Sequence, residues 1–171
     1  MRRVTCSPFK IGSLLVTAAV LAVTAFSQQP NHVPNGDFSQ GVTGWSVFGQ
    51  GGTTTDGAFR LEADGGQDAA ISQRIDGLQP GQIYVLRYEA ATIAHQGVFE
   101  LKASVNEFTL PGVGTLYYAA SFWQKDQEGS RLLVFRAPAA HVDLTFRARS
   151  LDGGRHEVVL DNVVLAEGPG Q

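Results

Sequence analysis

Asn35-Gly36-Asp37-Phe38-Ser39-Gln40-Gly41-Val42-Thr43-Gly44-Trp45 is the stretch whose reading decides the fold. Turn formers (Asn35-Gly36, Gly41, Gly44) surround two large aromatics, Phe38 and Trp45. Asn-Gly and isolated Gly supply the positive-φ backbone that other residues avoid. Each aromatic carries enough apolar area to anchor a loop on a core. The stretch therefore reads as a first short strand, a tight loop, and a second strand entered through Trp45.

Before this stretch, Met1-Arg2-Arg3 is a basic start and Ile11–Phe26 is a nearly unbroken apolar run. Ala25-Phe26-Ser27 places small residues where a signal peptidase reads. Residues 1–27 are read as a secretory signal peptide, with cleavage after Ser27 and no membrane insertion of the remainder. The 171-residue chain has 13 Lys and Arg against 16 Asp and Glu. Three of the basic residues (Arg2, Arg3, Lys10) lie in the leader, so the mature chain carries a charge of −6. An acidic domain without a basic cluster argues against a nucleic-acid partner. The single cysteine, Cys6, also lies in the leader, which leaves no disulfide or thiolate metal site after cleavage.

After Trp45 nearly every long segment has period two. Thr43–Phe48 reads as a strand, and the Gly/Thr run over 49–57 as a long hairpin loop. Strands follow at Ala58–Ala63, Ala69–Ile75, Ile83–Ile93 (the longest), Gly97–Val105, Thr115–Trp123, Leu133–Arg136, Val142–Arg149 and His156–Leu165. Pro80-Gly81 and Asp152-Gly153-Gly154 supply turns, and Gln124–Ser130 reads as a charged loop. Short alternating strands with Gly-rich turns predict an all-β, antiparallel β-sandwich or jelly roll, a single domain over 28–171.

Three motifs in order resemble carbohydrate-binding modules of families 4 and 9, jelly rolls of the galactose-binding-like type. They are the entry stretch, Leu78-x-Pro80-Gly81-x-x-Tyr84-x-Leu86, and Val159-x-Asp161-Asn162-Val163-x-Leu165. The chain departs from the family at Ser39, where members carry an acidic residue after the entry Phe. It departs again at Trp123, which precedes the strand after it by a longer insertion. The resemblance implies a secreted, monomeric, non-catalytic protein that binds a polysaccharide or cell-surface glycan. It also implies a structural calcium ion between the entry motif and the closing strand, with Asp37 and Asp161 as carboxylate ligands.

Asp161 shares parity with Val159, Val163 and Leu165, so it is read as pointing inward. A buried carboxylate needs a metal or hydrogen-bond donors. Two versions stand: calcium, or N–H groups of the Asn35–Phe38 turn without metal. Asp161 ties the entry loop to the last strand in both.

A sugar site needs a flat aromatic and planar hydrogen-bonding groups. Tyr117, Tyr118, Phe122 and Trp123 form the densest aromatic cluster, and Arg87 and Glu89 lie opposite an apolar strand face. Tyr117, Tyr118, Trp123, Arg87 and Glu89 are therefore the expected ligand-binding residues. If their strands share a sheet, Arg87, Glu89, Glu100, Lys102, Arg136, Arg147 and Arg149 make one polar face, which a solvated surface would also explain. His32, His95, His141 and His156 are scattered, and no catalytic motif occurs. The competing function is a structural or adhesive sandwich without a sugar site. An exposed aromatic on a recessed sheet would favour the sugar binder, and a flat charged sheet its competitor.

Overall fold

Alternation of apolar and polar residues builds ten strands, all paired antiparallel, in the computed structural model. It describes residues 30–93, 97–106, 115–120 and 128–169; for 93, 97–98, 115–120 and 128 the backbone alone is described. Residues 1–29, which hold the expected leader, lie outside the described residues with Phe122 and Trp123, and so do the side chains of Tyr117 and Tyr118. The strands are β1 Ser46–Phe48, β2 Gln50–Thr53, β3 Phe59–Ala63, β4 Ala69–Asp76 and β5 Ile83–Ile93. They continue with β6 Gly97–Val105, β7 Thr115–Ala120, β8 Glu128–Arg136, β9 His141–Ser150 and β10 His156–Glu167.

Two five-stranded sheets result. The first has the order β1-β4-β9-β6-β7 and the second β2-β3-β10-β5-β8. Their inner faces supply one core, which includes Ile71, Leu101, Leu144 and Phe146 from the first sheet and Phe59, Tyr84, Leu86 and Leu160 from the second. This is a β-sandwich, as the alternation predicts. Among the described residues no helix is long and apolar enough to cross a membrane.

Three expectations need correction. The run over 49–57 is not all loop: β2 pairs with β3 from Gln50↔Glu62 to Thr53↔Phe59. An edge strand needs backbone partners on one side only, so it tolerates glycine. The longest strand is β10, with 12 residues, not β5, with 11. The charged segment Gln124–Ser130 is partly strand, because Glu128, Gly129 and Ser130 belong to β8.

The entry stretch keeps the expected loop and anchor but not the expected first short strand: residues 31–45 run as turns and bends, because their backbone groups bond within the loop and to β10, and the first strand begins at Ser46. Trp45 is buried, its ring 5.4 Å from Phe38 and 6.4 Å from Phe146. The Trp45 Nε1–H donates to the Asn35 carbonyl at 3.1 Å. Positive φ falls on Asn35 (51°) and Phe38 (50°), not on Gly36. Gly36 serves close approach instead: a Cβ there would overlap the Val163 carbonyl oxygen.

The loop is locked to β10 by backbone and Asn31, not by Asp161. Val163 N–H donates to the Gly36 carbonyl at 2.8 Å, and His32 N–H to the Leu165 carbonyl at 2.9 Å. Asn31 Oδ1 accepts from Leu165 N–H at 2.9 Å, and its Nδ2 donates to the Val163 carbonyl at 3.2 Å. β3 covers β10 only from His156 to Leu160, and the entry segment continues that edge.

Asp161 faces outward. A register shift between Asp161 and Val164, with Asn162 at φ 50°, is a β-bulge. A bulge inserts one residue and so resets parity. Leu160, Val163 and Leu165 are buried while Asp161 is half-exposed.

Candidate functional site

The two outer faces place the polar residues differently from the single face expected. Arg87, Glu89 and Arg136 lie on the second sheet; Glu100, Lys102, Arg147 and Arg149 lie on the first. Tyr117 and Tyr118 belong to β7 of the first sheet, opposite Glu100 and Phe99 in register. Arg87 and Glu89 therefore cannot share one sheet face with them.

On the first sheet, β1 ends at Phe48 and Gly49 follows at φ 74°. The left-handed conformation and close packing both require glycine there, since a Cβ would stand 2.5 Å from the Asp68 carbonyl oxygen. The chain crosses at Gly49 into β2 of the other sheet, and Phe48 remains on the outer edge of the first. In register, Phe48 stands opposite Ala70, Ala70 opposite Arg147, and Arg147 opposite Lys102. The adjacent row runs Ser46, Ser72, Thr145, Ser104.

The middle of this face is recessed. Ala70 and Thr145 point outward by strand parity yet are only 6% and 5% exposed, whereas Phe48 is 58% exposed. Small residues form a floor, with Thr145 Oγ1–H donating to Ser72 Oγ at 3.1 Å. Phe48, Asp68, Ala70, Ser72, Asp143, Thr145 and Arg147 line a depression of about 400 Å³. Asp68 pairs with Arg149 at 3.7 Å. The trough thus offers an apolar ring at one edge, hydroxyls on its floor, and carboxylate and guanidinium groups around it.

The second sheet holds a depression of about 350 Å³ lined by Ala58, Glu89, Ala90, Ala91, Gly129, Ser130, Val159 and Asp161. Asp161 and Glu89 are directly opposite in register, and Asn162 Nδ2 donates to Glu89 at 2.9 Å. Beside it runs an ion ladder. Arg155 bridges Glu62 at 2.8 Å and Glu157 at 3.0 Å, and Arg60 reaches Glu157 at 3.4 Å. The hydrogen bond that Arg155 donates to Glu62, and then the charge of that carboxylate, raise the Arg155 pKa above its ordinary value. No aromatic side chain among the described residues points out of this face.

Asp37 and Asp161 do not fit a shared calcium shell. Calcium takes about six to eight oxygens. The Asp37 carboxylate accepts from the Ser39 N–H at 3.2 Å and its hydroxyl at 2.9 Å, within its own turn. Those two hydrogen bonds, the backbone one foremost, hold its pKa below the ordinary carboxylate value. Asp161 accepts from the adjacent Asn162 N–H at 2.7 Å. Among the described residues no three His, Cys, Asp or Glu side chains gather as a metal site.

Phe48 is the residue that sequence reading missed, although a signal was present. Trp45 anchors the core, so alternation along a strand starting there sends Phe48 to the opposite, outer face.

No family model matches the sequence, and no curated protein matches it. Solved structures do match. One described as "CBM4 structure and function" aligns with TM-score 0.57 at 17% identity, over 80% of this chain and 99% of that one. "Family 16 Carbohydrate Binding Module-2" aligns with TM-score 0.53 at 20% identity, over 80% of this chain and 100% of that one. The enzymatically active domain of tailspike protein 4 of bacteriophage CBA120 aligns with TM-score 0.54 at 17% identity, over 81% of this chain but 21% of that one. At these identities the likeness establishes a fold, the β-sandwich shared with carbohydrate-binding modules.

Proposed function

We propose that this chain is a secreted, non-catalytic glycan-binding module that seats a polysaccharide segment in the trough on the first sheet. The observation that carries the reading is the exposed Phe48 ring beside a recessed floor of Ala70, Ser72 and Thr145. A sugar ring has apolar C–H faces and a rim of hydroxyls. The Phe48 face matches the first, and Asp143, Arg147 and the floor hydroxyls match the second. The floor is built on the backbone of two paired strands, β4 and β9, so little ordering cost attends binding.

Affinity electrophoresis and calorimetry across a polysaccharide panel test this reading. Wild-type protein is expected to bind at least one glycan, and Phe48→Ala to weaken that binding about tenfold or more, roughly 1.4 kcal/mol. The melting temperature should stay nearly constant, because the ring is exposed. A Phe48→Ala variant that binds as tightly as wild type would move the site off this face.

A further inference from the structure

We propose that two copies of this chain pair edge to edge through β8, so that their second sheets run on as one sheet about a twofold axis at Leu133. This surface is separate from the trough. β8 closes the second sheet: among the described residues it pairs with β5 on one side and with no strand on the other. A free edge offers a row of N–H and C=O groups to another strand. Ala137 N–H donates to the Gln82 carbonyl, on the β5 side, at 2.9 Å. Alternation along the strand then turns the N–H and C=O of Leu132 and Val134 toward the open edge.

The outward side chains there are apolar. Leu132 and Val134 are 58% and 53% exposed. Val134 stands opposite Val85, and Val85 opposite Ala166, so an apolar row runs across the sheet to this edge and stops. No proline or bulge interrupts β8.

The rest of the face identifies the occupant as a second copy. A twofold axis perpendicular to the sheet at Leu133 pairs each β8 residue with the one equally far on the other side. Leu132 then meets Val134 of the second copy, twice, and apolar cross-strand pairs of this kind stabilise a sheet. Ser130 meets Arg136 of the second copy. Ser130 lies opposite Glu89, and Glu89 opposite Asp161; all three line the depression of about 350 Å³. Glu89 and Asp161 accept hydrogen bonds from Asn162, and among the described residues no cation pairs with either. Arg136 is exposed, has no carboxylate partner among those residues, and gives one N–H to the Gly81 carbonyl. Adjacent strands lie about 4.8 Å apart, so Glu89 and Arg136 of the second copy stand about 10 Å apart at the backbone, a span their side chains close over the small Ser130. The guanidinium then offsets the two like charges through charge-assisted hydrogen bonds. The same axis leaves both first sheets on one side of the joined sheet, so the two troughs face the same way and one glycan surface can engage both.

Sedimentation equilibrium of the secreted protein, at concentrations rising into the submillimolar range, reads the association. Wild type is expected to form a reversible dimer that weakens as salt rises. Arg136→Glu and Val134→Lys should each weaken dimerisation about tenfold or more while melting close to wild type, because both side chains are exposed. Glu89→Arg should weaken it as well. Glu89→Arg combined with Arg136→Glu should restore the dimer, since the two charges exchange sides. A wild type that stays monomeric throughout would overturn the inference. So would a dimer that both Arg136→Glu and Val134→Lys leave intact, or a doubly reversed variant that melts like wild type yet associates no better than the single ones. Glycan binding through Phe48 stands or falls independently, in the affinity measurements on the trough.

Discussion

The two outer faces of this sandwich are built from the same kind of alternating strand and end up doing different work. On the first sheet, small residues at Ala70, Ser72 and Thr145 leave a recess, and long side chains stand around it. On the second, Arg60, Glu62, Arg155 and Glu157 close on one another as an ion ladder. Like charges also stand opposite one another in register on both faces, Arg147 and Lys102 on the first, Glu89 with Asp161 and Glu62 with Glu157 on the second. The exposed apolar residues differ as well. The first face has Phe48, a flat ring, and the second has Leu132 and Val134 on its edge strand. Among the described residues, space, a ring and available hydrogen-bonding groups coincide on the first face and not on the second. The lesson is that polarity of a sheet face does not mark a binding site, because charged residues that satisfy each other leave nothing for a ligand.

The largest effect comes from removing what both faces stand on. Trp45→Ala should cost about 3–5 kcal/mol, as large-to-small core changes do, and abolish the difference between faces by loosening both. Chemical denaturation measures it, and a loss below about 1 kcal/mol would show that the ring does not anchor the loop.

Next is the lock between entry loop and β10. Asn31→Ala removes hydrogen bonds to Val33, Val163 and Leu165 and should cost about 1–2 kcal/mol. It tests whether Asn31, and not Asp161, ties the loop down. Equal melting curves for Asn31→Ala and wild type would return that role to another group.

A smaller effect separates the faces directly. Val134→Ala, on the second face, should leave glycan binding unchanged, where Phe48→Ala weakens it. Equal losses from the two would show that the recess has no special part. Glu157→Gln should lower the melting temperature modestly, because Arg60 and Arg155 lose a charged partner, and should not alter glycan binding.

The smallest expected change concerns the acidic pair. Asp161→Asn removes a like charge opposite Glu89 and should leave stability within about 0.5 kcal/mol or raise it. Chelator and added calcium should both leave the wild-type melting curve unmoved. A curve lowered by chelator and restored by calcium would instead reveal a bound ion through mass action.

The sequence by itself determined the sandwich. Period-two alternation places Tyr84, Leu86, Tyr88 and Ala90 on one face of β5, and all four are buried in the core. Turn chemistry around Asn35-Gly36 and Gly44 made Trp45 an anchor before any coordinates, because positive φ and close approach are local demands of the chain. Parity from Trp45 even carried the outward direction of Phe48. Only the tertiary structure decided which strands share a sheet. Strand pairing joins distant segments, and nothing local in β5 or β6 reports that one belongs beside β8 and the other beside β9. For that reason the expected polar face divided into two, and Arg87 and Glu89 parted from Tyr117 and Tyr118. The bulge after Asp161 was equally invisible: one added residue reverses every later side chain, and the cause is the fit of β10 to β5, its partner across the sheet.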